Sequence, residues 1–278
     1  AHRHTSLSIL TWKAPDTLHR TLQSLEPVSE LFSDRLVVCQ ESDPREIELA
    51  TRFGYRPILL PNNVGIQEGL ALAVEQSDTE RVLVLENDCN YLGGSQRRAH
   101  LETCLDLFDR HRLDVIKLGE LPASPRKRYT KYWGHTFPPR RTLLGRLRSS
   151  EADACKAEAL AFPEFEANLV PEVSKVDDCL FTTDSRYAVW TNRANPVSRD
   201  FFLGRLLPFA RSHPTSRRVN GFPDLEHAIN SRRNRSWWRN GGFRIGLVKP
   251  GLFGHERYDR PPLDEKWKTG VAVIPADG

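Results

Sequence analysis

The chain has 278 residues and a net charge of +4, with 40 Lys and Arg against 36 Asp and Glu. At 39% hydrophobic and 27% charged residues it reads as a soluble globular chain, long enough for one large α/β domain or two smaller ones. Composition excludes a membrane span, because no apolar run approaches the roughly 18–20 residues required, and it excludes a cysteine framework. The cysteines (Cys39, Cys89, Cys104, Cys155, Cys179) are five, scattered, and without a CxxC pair. Reduced, mostly buried thiols are expected. The opening AHRHTSLSILTW shows no signal-peptide pattern, so a cytoplasmic protein is expected, membrane-associated at most through its surface.

Ser6 to Leu10 reads as a first strand, followed by the turn Thr11-Trp12-Lys13-Ala14-Pro15-Asp16. Leu18, Leu22 and Leu25 then repeat at helical spacing, with Asp16 as the expected cap. RLVVC, residues 35–39, is a second strand, and Asp43-Pro44 opens a helix with proline at its first position. Tyr55 to Leu60 is a third strand, Pro61 to Gly65 a loop, and Gln67 to Gln76 a helix. A fourth strand, 81–86, ends abruptly in Glu86-Asn87-Asp88. Four strands alternating with three helices predict a parallel sheet wound through right-handed crossovers. Neither GxGxxG nor GxxxxGK[ST] occurs.

A helix from Gln96 to Arg110 and a strand from Asp114 to Leu118 follow. The stretch 122–148 reads as an irregular loop and 151–170 is weakly patterned. Tyr187 to Trp190 reads as a strand, Asn195 to Asp200 as a turn, and Asp200 to Phe209 as a helix. A helix from Asp224 to Arg232, a strand from Arg244 to Val248 and a turn from Pro250 to His255 complete the pattern, leaving a tail.

The most informative stretch is the end of the fourth strand. Open α/β sheets bind ligands beyond the carboxyl ends of their strands. Two carboxylates there, Glu86 and Asp88, suit a hard divalent cation, which takes oxygen ligands and grips phosphates.

Three stretches resemble family 2-type glycosyltransferases with the GT-A fold. SLSILTWKAP resembles their opening strand and turn, PNNVGIQEGLALAV their Asn-x-Gly segment and helix, and VLVLENDCN their metal-binding Asp-x-Asp strand. The similarity runs over residues 6–92 and is discontinuous beyond; order and spacing carry it. It implies an α/β, GT-A-like Rossmann-type sandwich with a mostly parallel central sheet flanked by helices. Residues 1–120 would be the nucleotide-sugar-binding half, 121–258 the acceptor-binding and catalytic half of the same domain, and 259–278 a tail.

The resemblance implies a UDP- or GDP-sugar donor and a divalent cation, Mn²⁺ or Mg²⁺. Thr11 and Trp12 match the nucleoside-contacting positions, with Lys13 where Asn is usual. Glu41 matches the place of a uracil-reading acid, and Asn63 and Gly65 match the third segment. Glu86 and Asn87 match donor-binding positions of the metal motif, with Asp88 as the direct ligand. GFPDLEHAIN resembles the segment carrying the base of inverting members, which implies Asp224 with Glu226 in reserve; Pro223 stands where an acid is usual. KPGLFGHERY resembles a strand-turn whose histidine reaches back to the metal, which implies His255.

The implied activity is transfer of a sugar to a hydroxyl of a glycan or glycolipid, with inversion, as in polysaccharide biosynthesis. Two basic stretches bear on the partners. Residues 126–148 carry eight Lys or Arg and no acid, interleaved with Tyr129, Tyr132 and Trp133, and 199–244 is arginine-rich. These suit an anionic acceptor or an anionic membrane surface. Nucleic acid is not expected, since +4 is modest and no binding motif is present. The alternatives are a sugar-1-phosphate nucleotidyltransferase, whose glycine-rich basic loop is missing after the first strand, and an inactive GT-A-like binding protein.

Overall fold

The structure, a computed structural model, describes residues 5–120 and 172–259. The basic run 126–148, with Tyr129, Tyr132, Trp133 and His135, lies outside them, as do Cys155 and the tail beyond Asp259.

The described strands are β1 (Thr5–Trp12), β2 (Asp34–Gln40), β3 (Arg56–Leu60), β4 (Arg81–Glu86), β5 (Val115–Lys117), β6 (Ser174–Lys175), β7 (Leu180–Asp184), β8 (Asn195–Ser198), β9 (Arg218–Val219), β10 (Phe222–Pro223) and β11 (Arg244–Val248). Nine form one sheet in the order β3-β2-β1-β4-β8-β5-β11-β7-β6. The first four are parallel, β5 and β11 are parallel, and β8 and β7 run against their neighbours. Both expected halves therefore contribute to one sheet.

Strand alternation explains its two cores. On one face Leu10, Leu36, Val38, Val82 and Val84 pack together; Leu7, Ile9, Val37, Leu83 and Leu85 pack on the other. The first face carries α3 (Gly65–Glu75) through Leu70 and Val74, and the second carries α1 (Pro15–Leu25) through Leu18, Leu22 and Leu25. Further helices are α2 (Pro44–Arg52) and α4 (Ser95–Arg110). The α5 segment starts at Arg199–Phe201, is π-helical over Phe202–Leu206 and resumes over Leu207–Ser212. Two short helices follow, α6 (Leu225–Asn230) and α7 (Arg235–Asn240).

Several expectations are corrected. Residues 195–198 are strand, not turn: β8 pairs with β4, so the partner required by β4's buried backbone outweighs local Asn-Pro turn chemistry. Residues 187–190 are not a strand. Tyr187 and Ala188 donate backbone N–H to the Asp184 carbonyl in a turn, and Trp190 is buried against Phe202 and Trp238 at ring distances of 6.2 and 6.0 Å. Its apolar pattern encoded burial, and the strand is β7. The helix after Asp224 stops at Asn230, where Asn234 Nδ2 donates to the Ala228 carbonyl, and α7 follows it. Ala14 rather than Asp16 is the N-cap of α1, with Pro15 at its first position. The Asp16 N–H instead donates to Asp259 Oδ2 at 2.7 Å. Asp43 caps α2 as expected, accepting from the Arg45 N–H.

One close approach ties the second half to the donor side. The hairpin of β9 and β10 turns through Asn220 and Gly221, both at positive φ, and lays Phe222 against Gly65. A Cβ on Gly65 would lie 2.3 Å from Phe222 Cβ, and Gly65 sits at φ +80°. Gly65→Ala is expected to destabilise the protein by about 1–3 kcal/mol, read as a lower midpoint in urea. An unchanged midpoint would mean that the hairpin does not rest there.

Candidate active site

Register aligns the strand ends. Leu10 lies opposite Glu86 and Trp12 opposite Gln40, so the polar residues after β1, β2 and β4 share one edge of the sheet. A tight turn follows β4. The Asn87 N–H donates to the Leu10 carbonyl at 3.0 Å and the Cys89 N–H to the Glu86 carbonyl at 3.1 Å. The turn buries Asp88 to 1% exposure.

A distant segment closes on this turn by backbone pairing. Leu92 N–H donates to Leu252 O, Gly254 N–H to Asn90 O and Glu256 N–H to Asp88 O, at 2.8–2.9 Å. Gly251 makes this possible: a Cβ there would lie 2.2 Å from Glu120 Cα. The ladder carries His255 Nε2 to 3.3 Å from Asp88 Oδ1, and Arg257 Nε donates to Asp88 Oδ2. One ligand atom each from Glu86, Asp88 and His255 falls within a mutual 4.8 Å.

Four carboxylates crowd here. Burial first, then the Asp88 charge, push Glu86 up to about 8; Asp224 and Glu226 add to this and Arg257 opposes it. Burial also lowers the His255 pKa, with Arg193 and Arg257 adding and Asp88 opposing, which favours the neutral imidazole that ligates metals. Two carboxylates and a neutral imidazole, repelling one another at the acids, form a donor set suited to Mn²⁺ or Mg²⁺.

Thr11, Trp12, Asn63, Gly65, Glu86 and Asn87 line a cleft beside this cluster, together with Gln40, Asn220 and Arg257. Lys13 and Glu41 are not among its lining residues. They pair with each other, and Glu41 Oε1 also accepts from Trp12 Nε1 at 3.1 Å. Gln40 Oε1 accepts from the Val64 N–H at 2.8 Å and Asn63 Oδ1 from the Gly65 N–H at 2.7 Å, which pins the loop between β3 and α3 to the end of β2.

Beneath the cleft lies Glu46, fully buried in the first turn of α2. Its Oε1 accepts from Thr11 Oγ1 at 2.5 Å and the Ala14 N–H at 2.9 Å, while Oε2 has no hydrogen-bond partner among the described residues. Burial, the largest influence, raises its pKa above the ordinary 4.5; Asp43 adds, while Thr11 and the Ala14 and Lys13 backbone oppose. A carboxyl with a raised folded pKa holds its proton longer in the native state. Its contribution is therefore present below about 4.5 and is lost as pH rises through the folded value. The native protein is expected to lose thermal stability across that window relative to Glu46→Gln, in paired melting curves; parallel curves would refute it.

On the far side of the acids, Asp224 caps α6. It accepts from the Glu226 and His227 N–H groups, both at 3.2 Å, and from Asn192 Nδ2 at 3.0 Å. Glu226 Oε2 accepts from the Asn192 N–H at 3.3 Å. Burial chiefly raises the Glu226 pKa, with Asp224 adding and Lys117 and Arg193 opposing. Lys117, at the end of β5, donates to the Val189 carbonyl at 2.7 Å and is pushed down to about 8 by burial.

The structure thus gathers Glu86, Asp88, Asp224, Glu226 and His255 at one end of the sheet. Arg257, Lys117, Asn192 and Glu46 join them without having been singled out in the sequence, and Gln40 joins them although its neighbour Glu41 was the preferred candidate there. Arg257 had a local signal, two residues after His255 in HERY. Glu46 had none, because an acid in a first helical turn usually just complements the helix dipole.

No protein-family model and no curated protein sequence matches this chain. Solved structures do. Mannosyltransferase PcManGT from Pyrobaculum calidifontis, in complex with GDP-Man and Mn²⁺, aligns with 95% of this chain at TM-score 0.55 and 12% identity; the chain spans 59% of that protein. Glucosyl-3-phosphoglycerate synthase from Mycobacterium tuberculosis, in complex with Mn²⁺, UDP and phosphoglyceric acid, aligns with 95% of this chain and 74% of its own at TM-score 0.50 and 15% identity. The chain is similar to both, and its fold is of the GT-A type.

Proposed function

We propose that the protein is a glycosyltransferase that moves a sugar from a nucleotide-diphosphate donor to a hydroxyl of a glycan or glycolipid, with inversion at the anomeric carbon. The convergence of Glu86, Asp88 and His255 at the end of β4, beside a cleft open to a nucleotide, carries this reading. Two neighbours of the same fold were solved with Mn²⁺ and a GDP-sugar or UDP, which supports the choice of ligands. Asp88, His255 and Glu86 would hold the divalent cation, and when bound it supplies Lewis-acid stabilisation of the departing diphosphate. Thr11, Trp12, Asn63, Gly65 and Asn87 would hold the nucleoside end, with Lys13 and Glu41 as a charged pair beside Trp12.

Arg257 lines the same cleft and adds positive charge where the diphosphate would lie. We assign the base to Glu226 rather than Asp224. Asp224 already has three donors on its carboxylate, whereas Glu226 keeps Oε1 free of hydrogen bonds among the described residues and has a pKa raised by burial, which makes it a stronger base than an ordinary carboxylate. In the transfer Glu226 takes the acceptor hydroxyl proton and the acceptor oxygen bonds the anomeric carbon. The bond from that carbon to the diphosphate breaks, and the nucleoside diphosphate leaves with its electron pair. Attack opposite the leaving group inverts the centre.

A thermal-shift comparison of UDP, GDP and their sugars, with and without Mn²⁺, tests this. At about 100 times the dissociation constant a bound nucleotide stabilises by about 2.7 kcal/mol. A rise in melting temperature that needs both nucleotide and Mn²⁺ is expected. The same rise without Mn²⁺, or none with any nucleotide, would sink the reading. Among the described residues no helix is long and apolar enough to cross a membrane.

A further inference from the structure

A second cavity of about 620 Å³, large enough for a small phosphorylated ligand, is lined by Asp224 and Glu226 and shares no lining residue with the donor cleft. Five arginines line it: Arg186 after β7, Arg217 before β9, Arg232 between α6 and α7, and Arg235 and Arg239 on α7. Among the described residues none of the five forms an ion pair. This contrasts with Arg45, Arg56, Arg81, Arg98 and Arg211, each of which has an acid at 3.0 Å or less.

Three of them, Arg186, Arg235 and Arg239, lie close enough to repel. Burial lowers the Arg239 pKa, and Arg235 and Arg186 lower it further. Arg217 adds to the burial that lowers His227. Neither acid of the cavity, Asp224 or Glu226, forms an ion pair with any of the five among the described residues. Converging, uncompensated guanidinium groups in a concave wall are arranged for an anion from outside. Their planar forks match the paired oxygens of a phosphate better than a single carboxylate, which could not occupy five of them.

We propose that this cavity is the acceptor subsite and that the acceptor carries a phosphate group, held by the arginines with its hydroxyl directed at Glu226. The word acceptor rests on the transferase reading; the anion site does not. The phosphate can belong to a small soluble monoester or to a lipid headgroup, and the two are separable.

Calorimetric titration of the full chain with glycerol 3-phosphate, and co-sedimentation with phosphatidylcholine vesicles containing phosphatidic acid, are the two arms. Arg235→Gln/Arg239→Gln is expected to weaken one of them by at least about tenfold, the loss of one charge-assisted hydrogen bond or more. Mn²⁺-dependent UDP or GDP binding is expected to be unchanged. Loss confined to the first arm assigns a soluble phosphate monoester, and loss confined to the second a lipid headgroup. Wild-type protein binding neither probe, or binding both as well as the variant does, overturns the proposal. If the double variant does not fold, the exposed pair Arg217→Gln/Arg232→Gln makes the same test. Arginine-dependent phosphate binding without any nucleotide binding would remove the transferase reading and leave the anion site standing.

Discussion

Asp88→Asn is expected to abolish Mn²⁺-dependent nucleotide binding and to lower transfer by about 10³-fold, some 4 kcal/mol at about 1.4 kcal/mol per decade. The substitution keeps the volume of a side chain that is 1% exposed and removes only its charge. That charge faces the His255 imidazole 3.3 Å away and the Arg257 guanidinium, and it would serve the proposed cation. Breaking a buried ion pair from one side can cost about 3–5 kcal/mol when the orphaned charge stays buried. Arg257 is 40% exposed and can turn to water, so the folding cost should be well below that range while the binding loss is complete. Isothermal titration with UDP or GDP in Mn²⁺ measures the first, and urea unfolding the second. Unchanged affinity in Mn²⁺ would remove Asp88 from the metal site.

Glu226→Gln is expected to lower kcat by about 10²–10⁴-fold, the usual worth of a general base, with donor affinity unchanged. The informative comparison is Asp224→Asn. Asparagine caps a helix about as well as aspartate, so α6 and stability should survive, and turnover should fall less than about tenfold if Asp224 is a cap rather than the base. A collapse of turnover in Asp224→Asn with Glu226→Gln active would return the role to Asp224. The pH profile separates the two further. A base works deprotonated, so kcat/KM should rise with pH through the Glu226 pKa, which lies above the ordinary 4.5 under burial and Asp224, with Lys117 and Arg193 opposing. That acid limb should vanish in Glu226→Gln.

The two acids were ranked the other way in the sequence, where Asp224 matched a family position and Glu226 was the reserve. Both readings were reasonable for an acid near a helix start. What separates them is the number of donors: three on the Asp224 carboxylate, one of them from Asn192, 32 residues away in the chain, against the single Asn192 N–H on Glu226. The basic stretches divide in a similar way. Both were visible as composition, but the cavity comes only from packing, which brings Arg186 beside Arg235 and Arg239 and leaves Arg211 paired with Glu68 on α3.

The sequence by itself determined the first four strands, the helices between them, and the polar residues at their carboxyl ends. Period-2 and period-3.6 apolar patterns are local, and a buried parallel strand that ends in Glu-Asn-Asp carries its own boundary. Tertiary structure decided the rest. It placed β8 between β4 and β5, supplied the ladder that brings His255 to Asp88 together with Arg257, 169 residues from Asp88 in the chain, and laid Phe222 on Gly65. These contacts follow from which backbone groups lack partners and which surfaces must be covered once the sheet exists, and no local period records either.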